Sequence, residues 1–156
     1  MKVKVVQRTP VIVAYQRHIG PYGREIGEFW QRIVYPWVAA NDLLGRARYG
    51  ISLDDPGVTE PEKCRYDAGV EVSAAQPAPN GALVATLPGG RYAMTAFHGS
   101  SDQIGALWQA LLRDWLPQSG MQLDARPFFE YYPIDARYDT ARGLFSCELA
   151  VPVAPL

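Results

Sequence analysis

Hydrophobic and polar positions along the chain predict strands and helices in a repeated order. Apolar, β-branched runs at 3–6 and 11–15 predict two strands that open the chain. From 24 to about 41 apolar residues recur every three or four positions, which predicts an amphipathic helix that kinks or ends near Pro36. The apolar stripe of this helix consists of Ile26, Phe29, Trp30, Ile33, Val34 and Trp37. Two short strands are predicted after it, before the midpoint of the chain.

The same order begins again in the second half of the chain. Segments 82–87 and 91–97 repeat the opening strands, and we expect each pair to form a hairpin. Residues 104–115 match 26–37 at an offset of 78, with five of the twelve positions identical. This match predicts an internal duplication. The expected boundaries are a first repeat over about 1–75, a linker over about 76–81 and a second repeat over about 82–154.

A carboxylate lies in the middle of an aromatic strand near the end of the chain. Segment 128–132 reads Phe-Phe-Glu-Tyr-Tyr, and because strand side chains alternate between faces, Glu130 shares its face with Phe128 and Tyr132. Burying that carboxylate costs on the order of several kcal/mol unless it is protonated, hydrogen-bonded or paired with a cation. A negative charge among aromatic rings suits an organic cation. The alternative is an exposed glutamate on an edge strand.

Composition limits the classes of function. The chain has 156 residues, is 48% hydrophobic and carries a formal net charge of -1, which predicts a single globular domain over 1–156 without direct nucleic-acid binding. No apolar run reaches the length of about 18 residues that a membrane span needs, so we expect a cytoplasmic protein with no membrane association. Cys64 and Cys147 are expected to be free thiols. His18 and His98 lack the spacing of metal ligands, so neither a metal nor a cofactor is expected.

Four motifs, in order along almost the whole chain, resemble a known family. They are Tyr49-Gly50-Ile51, the stretch 55–68, Gly89-Gly90-Arg91-Tyr92-Ala93, and Arg126-Pro127 followed by the aromatic strand. Together they are similar to the GyrI-like (gyrase-inhibitor-like) small-molecule-binding domain, which also forms the effector-binding part of AraC-type and multidrug-responsive transcription regulators. The chain has no room for a helix-turn-helix, so the resemblance indicates a stand-alone form.

The resemblance implies a fold and a site. The fold would be α+β, internally duplicated, with two SHS2-type β-β-α-β-β units related by a pseudo-two-fold axis around a central ligand cleft. In that cleft Glu130 would bind a lipophilic cation, and the candidate ligand-binding residues are Glu130, Phe128, Tyr132, Trp37, Trp115, Tyr49, Tyr66 and Tyr22. Trp30 and Trp108, in the middle of the two helical stripes, are expected to pack in the core instead.

Three functions stay open at this point. The first is a module that binds a hydrophobic, cationic small molecule. The second, implied by the resemblance alone, is a hydrolase that opens cyclopropane rings of reactive toxins, with Glu130 as the base and Tyr132 or Tyr66 as the proton donor. The third is a protein that modulates gyrase, so the possible partners include gyrase or a transcription regulator. The sequence does not choose between a monomer and a dimer.

Overall fold

The computed structural model describes all residues from 1 to 156 and contains ten strands and three α-helices. The strands are β1 (Val3–Arg8), β2 (Val11–Ile19), β3 (Arg48–Ser52), β4 (Arg65–Val72), β5 (Leu83–Leu87), β6 (Gly90–Gly99), β7 (Met121–Leu123), β8 (Phe128–Tyr132), β9 (Tyr138–Asp139) and β10 (Leu144–Pro155). The α-helices are α1 (Arg24–Phe29), α2 (Tyr35–Ala40) and α3 (Ile104–Gln109). None of them is both long and apolar enough to cross a membrane.

The strands form one antiparallel sheet. Its order is β1-β6-β10-β8-β3-β4-β2-β5, and the short strands β7 and β9 also pair with β10. The two central strands, β8 and β3, come from the two halves of the chain. The fold is therefore α+β, as expected, and its strands form one large antiparallel sheet; the internal duplication stays a prediction.

The opening strands of the two halves exchange partners. β1 pairs with β6 from the second half, and β5 pairs with β2 from the first half. The prediction of hairpins over 3–15 and 82–97 is therefore wrong. A two-residue hairpin turn needs positive φ angles, and neither Thr9 nor Pro10, which connect β1 to β2, has one.

The short connections force the sheet to curl. Six strand spacings of about 4.8 Å separate β1 from β2, about 29 Å in a flat sheet. The link between these strands spans at most about 11 Å. The sheet edges must therefore approach each other. Gly89, in the link from β5 to β6, lies close to the link from β1 to β2, since a Cβ at position 89 would be 2.7 Å from the carbonyl oxygen of Arg8. The curl encloses a core without helical residues, which includes Val13, Tyr49, Tyr92 and Phe129.

The helices cover the other face of the sheet and form the larger core. Buried helical residues such as Trp30, Val34 and Leu111 pack there against β4 and β10. The helix predicted over 24–41 is confirmed, but a π-helical turn over Trp30–Val34 joins α1 to α2. Pro36 follows this wider turn, and the helix continues past it to Ala40. α3 likewise continues as a π-helical turn, Ala110–Trp115, and then a 3₁₀ turn, Leu116–Gln118.

Candidate functional site

Glu130 is buried at the centre of the sheet, on the face that the helices cover. Only 5% of its surface is exposed. Its Oε1 accepts hydrogen bonds from the hydroxyl of Tyr66 at 2.7 Å and from the hydroxyl of Tyr132 at 3.0 Å. The Nε1–H of Trp30 donates in turn to the Tyr66 hydroxyl at 2.9 Å. A helix and two strands therefore fix the position of this one carboxylate.

The second carboxylate oxygen of Glu130 has no such partner. Both tyrosine hydroxyls donate to Oε1, and no group of the chain donates to Oε2. Every side-chain nitrogen or oxygen that is completely buried has a hydrogen-bond partner. Since Oε2 has none, part of its surface must be open to the space above the sheet. The buried carboxylate thus presents one free acceptor.

Burial raises the pKa of Glu130 to about 7, although the hydrogen bonds from Tyr66 and Tyr132 oppose this shift. Burial, together with the charge of Glu130, also raises the pKa of both tyrosines well above its ordinary value. The two hydroxyls therefore stay protonated and remain donors. The carboxyl group itself changes between neutral and ionised near neutral pH.

Gly50 provides the space that this arrangement needs. It lies directly opposite Glu130 in the pairing of β3 with β8. A Cβ at position 50 would lie 2.7 Å from Glu130 Oε1, which no real Cβ tolerates. Glycine in the middle of a strand often marks such a close approach.

A cavity of about 1090 Å³ lies above Glu130, between the helices and the sheet. Residues from both halves of the chain line it, and most of its wall near Glu130 is aromatic. The lining includes Tyr22, Trp30, Tyr35, Arg48, Ser52, Tyr66, Trp108, Phe128, Glu130, Tyr132, Tyr138 and Phe145. No three His, Cys, Asp or Glu side chains of the chain converge in a geometry that could hold a metal ion.

A family model described as the GyrI-like small molecule binding domain matches residues 1–154. The chain belongs to this family. Among its relatives, the SPbeta prophage-derived putative transcriptional regulator YosT of Bacillus subtilis is 26% identical over 98% of this chain and 99% of its own length. A DNA gyrase inhibitor of Cronobacter sakazakii is 28% identical over 86% of this chain and 85% of its own length.

Solved structures share the fold of this GyrI-like domain. SAV2435 bound to tetraphenylphosphonium superposes with a TM-score of 0.65 at 22% identity, over 99% of this chain and 94% of that one. The C-terminal domain of EcmrR gives a TM-score of 0.70 at 15% identity, over 99% of this chain and 98% of that domain. At these identities the likeness concerns the fold.

The structure brings five of the eight candidate residues to the wall of the cavity. They are Tyr22, Tyr66, Phe128, Glu130 and Tyr132. Tyr22 lies at the rim, where its hydroxyl donates to the carbonyl oxygen of Arg65. Tyr66 and Tyr132 donate to the carboxylate of Glu130, and Phe128 lies next to it on the same face of β8.

Tyr49 does not line the cavity of the GyrI-like domain. It is the strand neighbour of Gly50, so its side chain points to the opposite face of β3. There it is buried in the core inside the curl, its ring centroid 5.9 Å from that of Phe129, and its hydroxyl accepts a hydrogen bond from Arg8 at 2.9 Å. The expectation that Tyr49 lines the cleft is therefore corrected.

Trp37 and Trp115 also lie outside the cavity wall, packed against the edge of the larger core. In an α-helix they would share a stripe with Trp30 and Trp108, seven residues earlier. In both cases the interval contains a π-helical turn, which begins at Trp30 in one helix and ends at Trp115 in the other, and its additional residue rotates the side chains after it in the interval by roughly 100°. The sequence pattern gave no sign of this change of phase.

Trp30 and Trp108, expected only in the core, both line the cavity. Trp30 is buried and holds Tyr66 through its indole nitrogen. Trp108 stacks on Phe128 with ring centroids 5.9 Å apart and an angle of 23° between the planes. Sequence reasoning also missed Arg48, although its place two residues before Gly50 puts it on the same face of β3.

Proposed function

We propose that this GyrI-like domain binds an aromatic, cationic small molecule in the cavity, with Glu130 as its charge partner. The free Oε2 of Glu130 carries this proposal, because it is an acceptor on a buried carboxylate that the fold fixes, and it is open to the cavity without a partner. A carboxylate in an apolar wall needs a cation to ionise at low cost. A hydrophobic cation supplies both the charge and the apolar surface.

The surroundings of Glu130 support an aromatic ligand. Rings of Trp30, Tyr66 and Tyr132 border the carboxylate, and their faces attract cations as well as flat apolar surfaces. A cavity of about 1090 Å³ admits a drug-sized molecule. The related structure of SAV2435 carries tetraphenylphosphonium, a ligand of this class.

The proposal includes the internal duplication. Ile51 and Phe129, which correspond under the offset of 78, lie opposite each other where β3 pairs with β8. A pseudo-two-fold axis between them would relate two copies that exchange their first strands. Ser52 would then correspond to Glu130 and Gly50 to Phe128, so only one copy supplies the charge.

The test compares the binding of methyltriphenylphosphonium with that of neutral triphenylphosphine oxide. In Glu130→Gln the affinity for the cation should fall about tenfold or more, while that for the oxide changes less than about threefold. Glu28→Gln, the same change at an exposed carboxylate of the cavity wall, is the control and should alter neither affinity by more than about threefold. An equal loss of both ligands in Glu130→Gln would mean that Glu130 is structural.

A hydrolase is the second candidate, supported by the pKa of Glu130, which is near that of a general base working at neutral pH. Its free Oε2 would take a proton from water, the water oxygen would bond to a ring carbon as a ring C–C bond breaks, and Tyr66 or Tyr132 would protonate the resulting enolate and recover its proton from Glu130. Incubation with an activated cyclopropyl ketone would then give a product with one added water, measured by mass spectrometry. The product should be absent with Glu130→Gln, and its absence with the wild-type protein would exclude this reaction.

A further inference from the structure

Arg48 places a second charge in the cavity, on the strand beside Glu130. Its guanidinium lies 5.3 Å from the ring centroid of Tyr132 and 5.4 Å from that of Tyr35. It donates one side-chain hydrogen bond, to the Tyr35 hydroxyl at 2.6 Å. No carboxylate lies within ion-pair distance of it, although the two rings and the strand hold it in place. Most of its five donors are therefore free.

The cavity lining as a whole has a small excess of positive charge, which does not favour a ligand that is only cationic. Six arginines line the cavity: Arg24, Arg32, Arg48, Arg113, Arg126 and Arg137. Five carboxylates line it: Glu28, Asp54, Asp55, Asp102 and Glu130. With every acid ionised the lining has a formal charge of +1, and with Glu130 neutral the excess of positive charge is larger.

Arg48 differs from the other arginines of the lining. Arg24 pairs with Asp102 at 3.6 Å and Arg126 with Asp124 at 3.1 Å, so their charges are compensated. Arg32, Arg113 and Arg137 are exposed at the rim, where water screens them. Arg48 alone is both half-buried and without a carboxylate.

The two charges are held apart by the register of the strands. Gly50 lies opposite Glu130, and Arg48, two residues earlier on the same face, lies opposite Tyr132. Two residues of strand span about 7 Å. The guanidinium and the carboxylate form no ion pair with each other, so both are left for a single ligand.

We infer that the ligand carries an acidic group as well as its cationic centre, and that Arg48 binds the acid through its planar fork of donors. This inference rests on the proposed function and narrows its ligand class to aromatic zwitterions. A carboxylate or sulfonate is the group that guanidinium recognises best, because two parallel hydrogen bonds match its geometry.

The test uses rhodamine B, which has a carboxylate on a cationic dye, and its ethyl ester, which lacks the negative charge. Fluorescence polarisation gives the dissociation constant of each dye. The wild-type protein should bind rhodamine B about tenfold more tightly than the ester. Arg48→Met should remove that preference by weakening rhodamine B about tenfold while leaving the ester within about threefold. Arg48→Lys, which keeps the charge but loses the fork, should fall between the two.

Each remaining outcome decides the question. If Arg48→Met weakens both dyes equally, or if the wild-type protein prefers the ester, Arg48 does not bind an acid and the inference is overturned. Glu130→Gln reports on the proposed function separately, since it should weaken both dyes through their shared cationic part. If neither dye binds the wild-type protein, the inference fails, and the proposed function fails with it only if methyltriphenylphosphonium does not bind either. Thermal unfolding of each variant establishes that it is folded before binding is measured.

Discussion

Gly50 and Glu130 face each other across the central pair of strands, and the carboxylate of Glu130 occupies space that a side chain at position 50 would need. A Cβ at position 50 would lie 1.9 Å from the hydroxyl oxygen of Tyr66, nearer than to the carboxylate itself. The glycine therefore makes room for the hydrogen bond between Tyr66 and Glu130. A residue without a side chain is part of the site.

Gly50→Ala should consequently disrupt both the fold and the site. Displacing Tyr66 from its place in the core should cost about 1–3 kcal/mol of the free energy of unfolding. Gly105→Ala is the control, because no atom lies within 4 Å of a Cβ there and alanine should stabilise α3 by up to about 1 kcal/mol. Denaturant unfolding of both variants checks this, and equal stabilities would contradict the close approach.

Tyr66 and Tyr132 should contribute unequally, although both donate to the same oxygen. Tyr66→Phe removes a donor to Glu130 and also leaves the indole N–H of Trp30 without its acceptor, whereas Tyr132→Phe removes one donor only. We expect Tyr66→Phe to lower the free energy of unfolding by about 1–3 kcal/mol more than Tyr132→Phe. Chemical denaturation of the two variants measures this difference.

Both substitutions should also raise the pKa of Glu130, since each removes a hydrogen bond that favours the ionised form. The affinity for methyltriphenylphosphonium should therefore rise with pH through a midpoint that lies higher in each variant than in the wild-type protein. A midpoint that stays in place would mean that the two hydroxyls do not hold the carboxylate in solution.

Stability should fall as the pH rises through neutrality, because of Glu130. Its pKa is raised from 4.5 to about 7 in the folded chain. Between these two pH values the carboxyl group is ionised in the unfolded chain but still protonated in the folded chain, so a rise in pH favours unfolding. Between about pH 5 and about pH 8 this lowers the free energy of unfolding by on the order of 3 kcal/mol. In Glu130→Gln no group at this position ionises, so the free energy of unfolding of the variant should increase relative to that of the wild-type protein as the pH rises over that range. A constant difference in urea unfolding at all pH values would contradict the raised pKa.

Trp108 and Trp115 offer a matched test of the cavity wall. Trp108 lines the cavity and stacks on Phe128, whereas Trp115 is the last residue of the π-helical turn and lies outside the cavity wall. Trp108→Ala should weaken the binding of an aromatic cation about threefold to tenfold, the contribution of an aromatic contact. Trp115→Ala should leave the affinity within about twofold, which isothermal titration calorimetry can resolve. The opposite order would mean that the ligand does not bind against Trp108 in this cavity.

Local patterns in the sequence predicted much of this structure. Alternation along the aromatic strand placed Glu130 on one face with Phe128 and Tyr132, and the structure has all three at the cavity. Helical spacing located the segment from residue 24 to about residue 41, which is helical to Ala40. Both inferences rest on periodicity within a single element, where the geometry of neighbouring residues is fixed.

Features that depend on distant contacts or on a change of helix type could not be predicted. Strands β1 and β5 have the composition of hairpin partners for the strands that follow them, yet they pair across the halves, which no pattern within one segment indicates. The π-helical turns move Trp37 and Trp115 off the cavity wall without any change in the spacing of apolar residues. Tyr49 was misplaced because the face of β3 that meets Glu130 follows from its register with β8.

The exchange of first strands has a consequence for the way in which the protein is made. β1 leaves the ribosome first, but its partner β6 is completed only at Gly99, and β6 in turn pairs with β10 near the end of the chain. The first half therefore cannot finish its sheet during its own synthesis, and such long-range pairing slows folding. We therefore expect the sheet to be completed only after β10 has been translated.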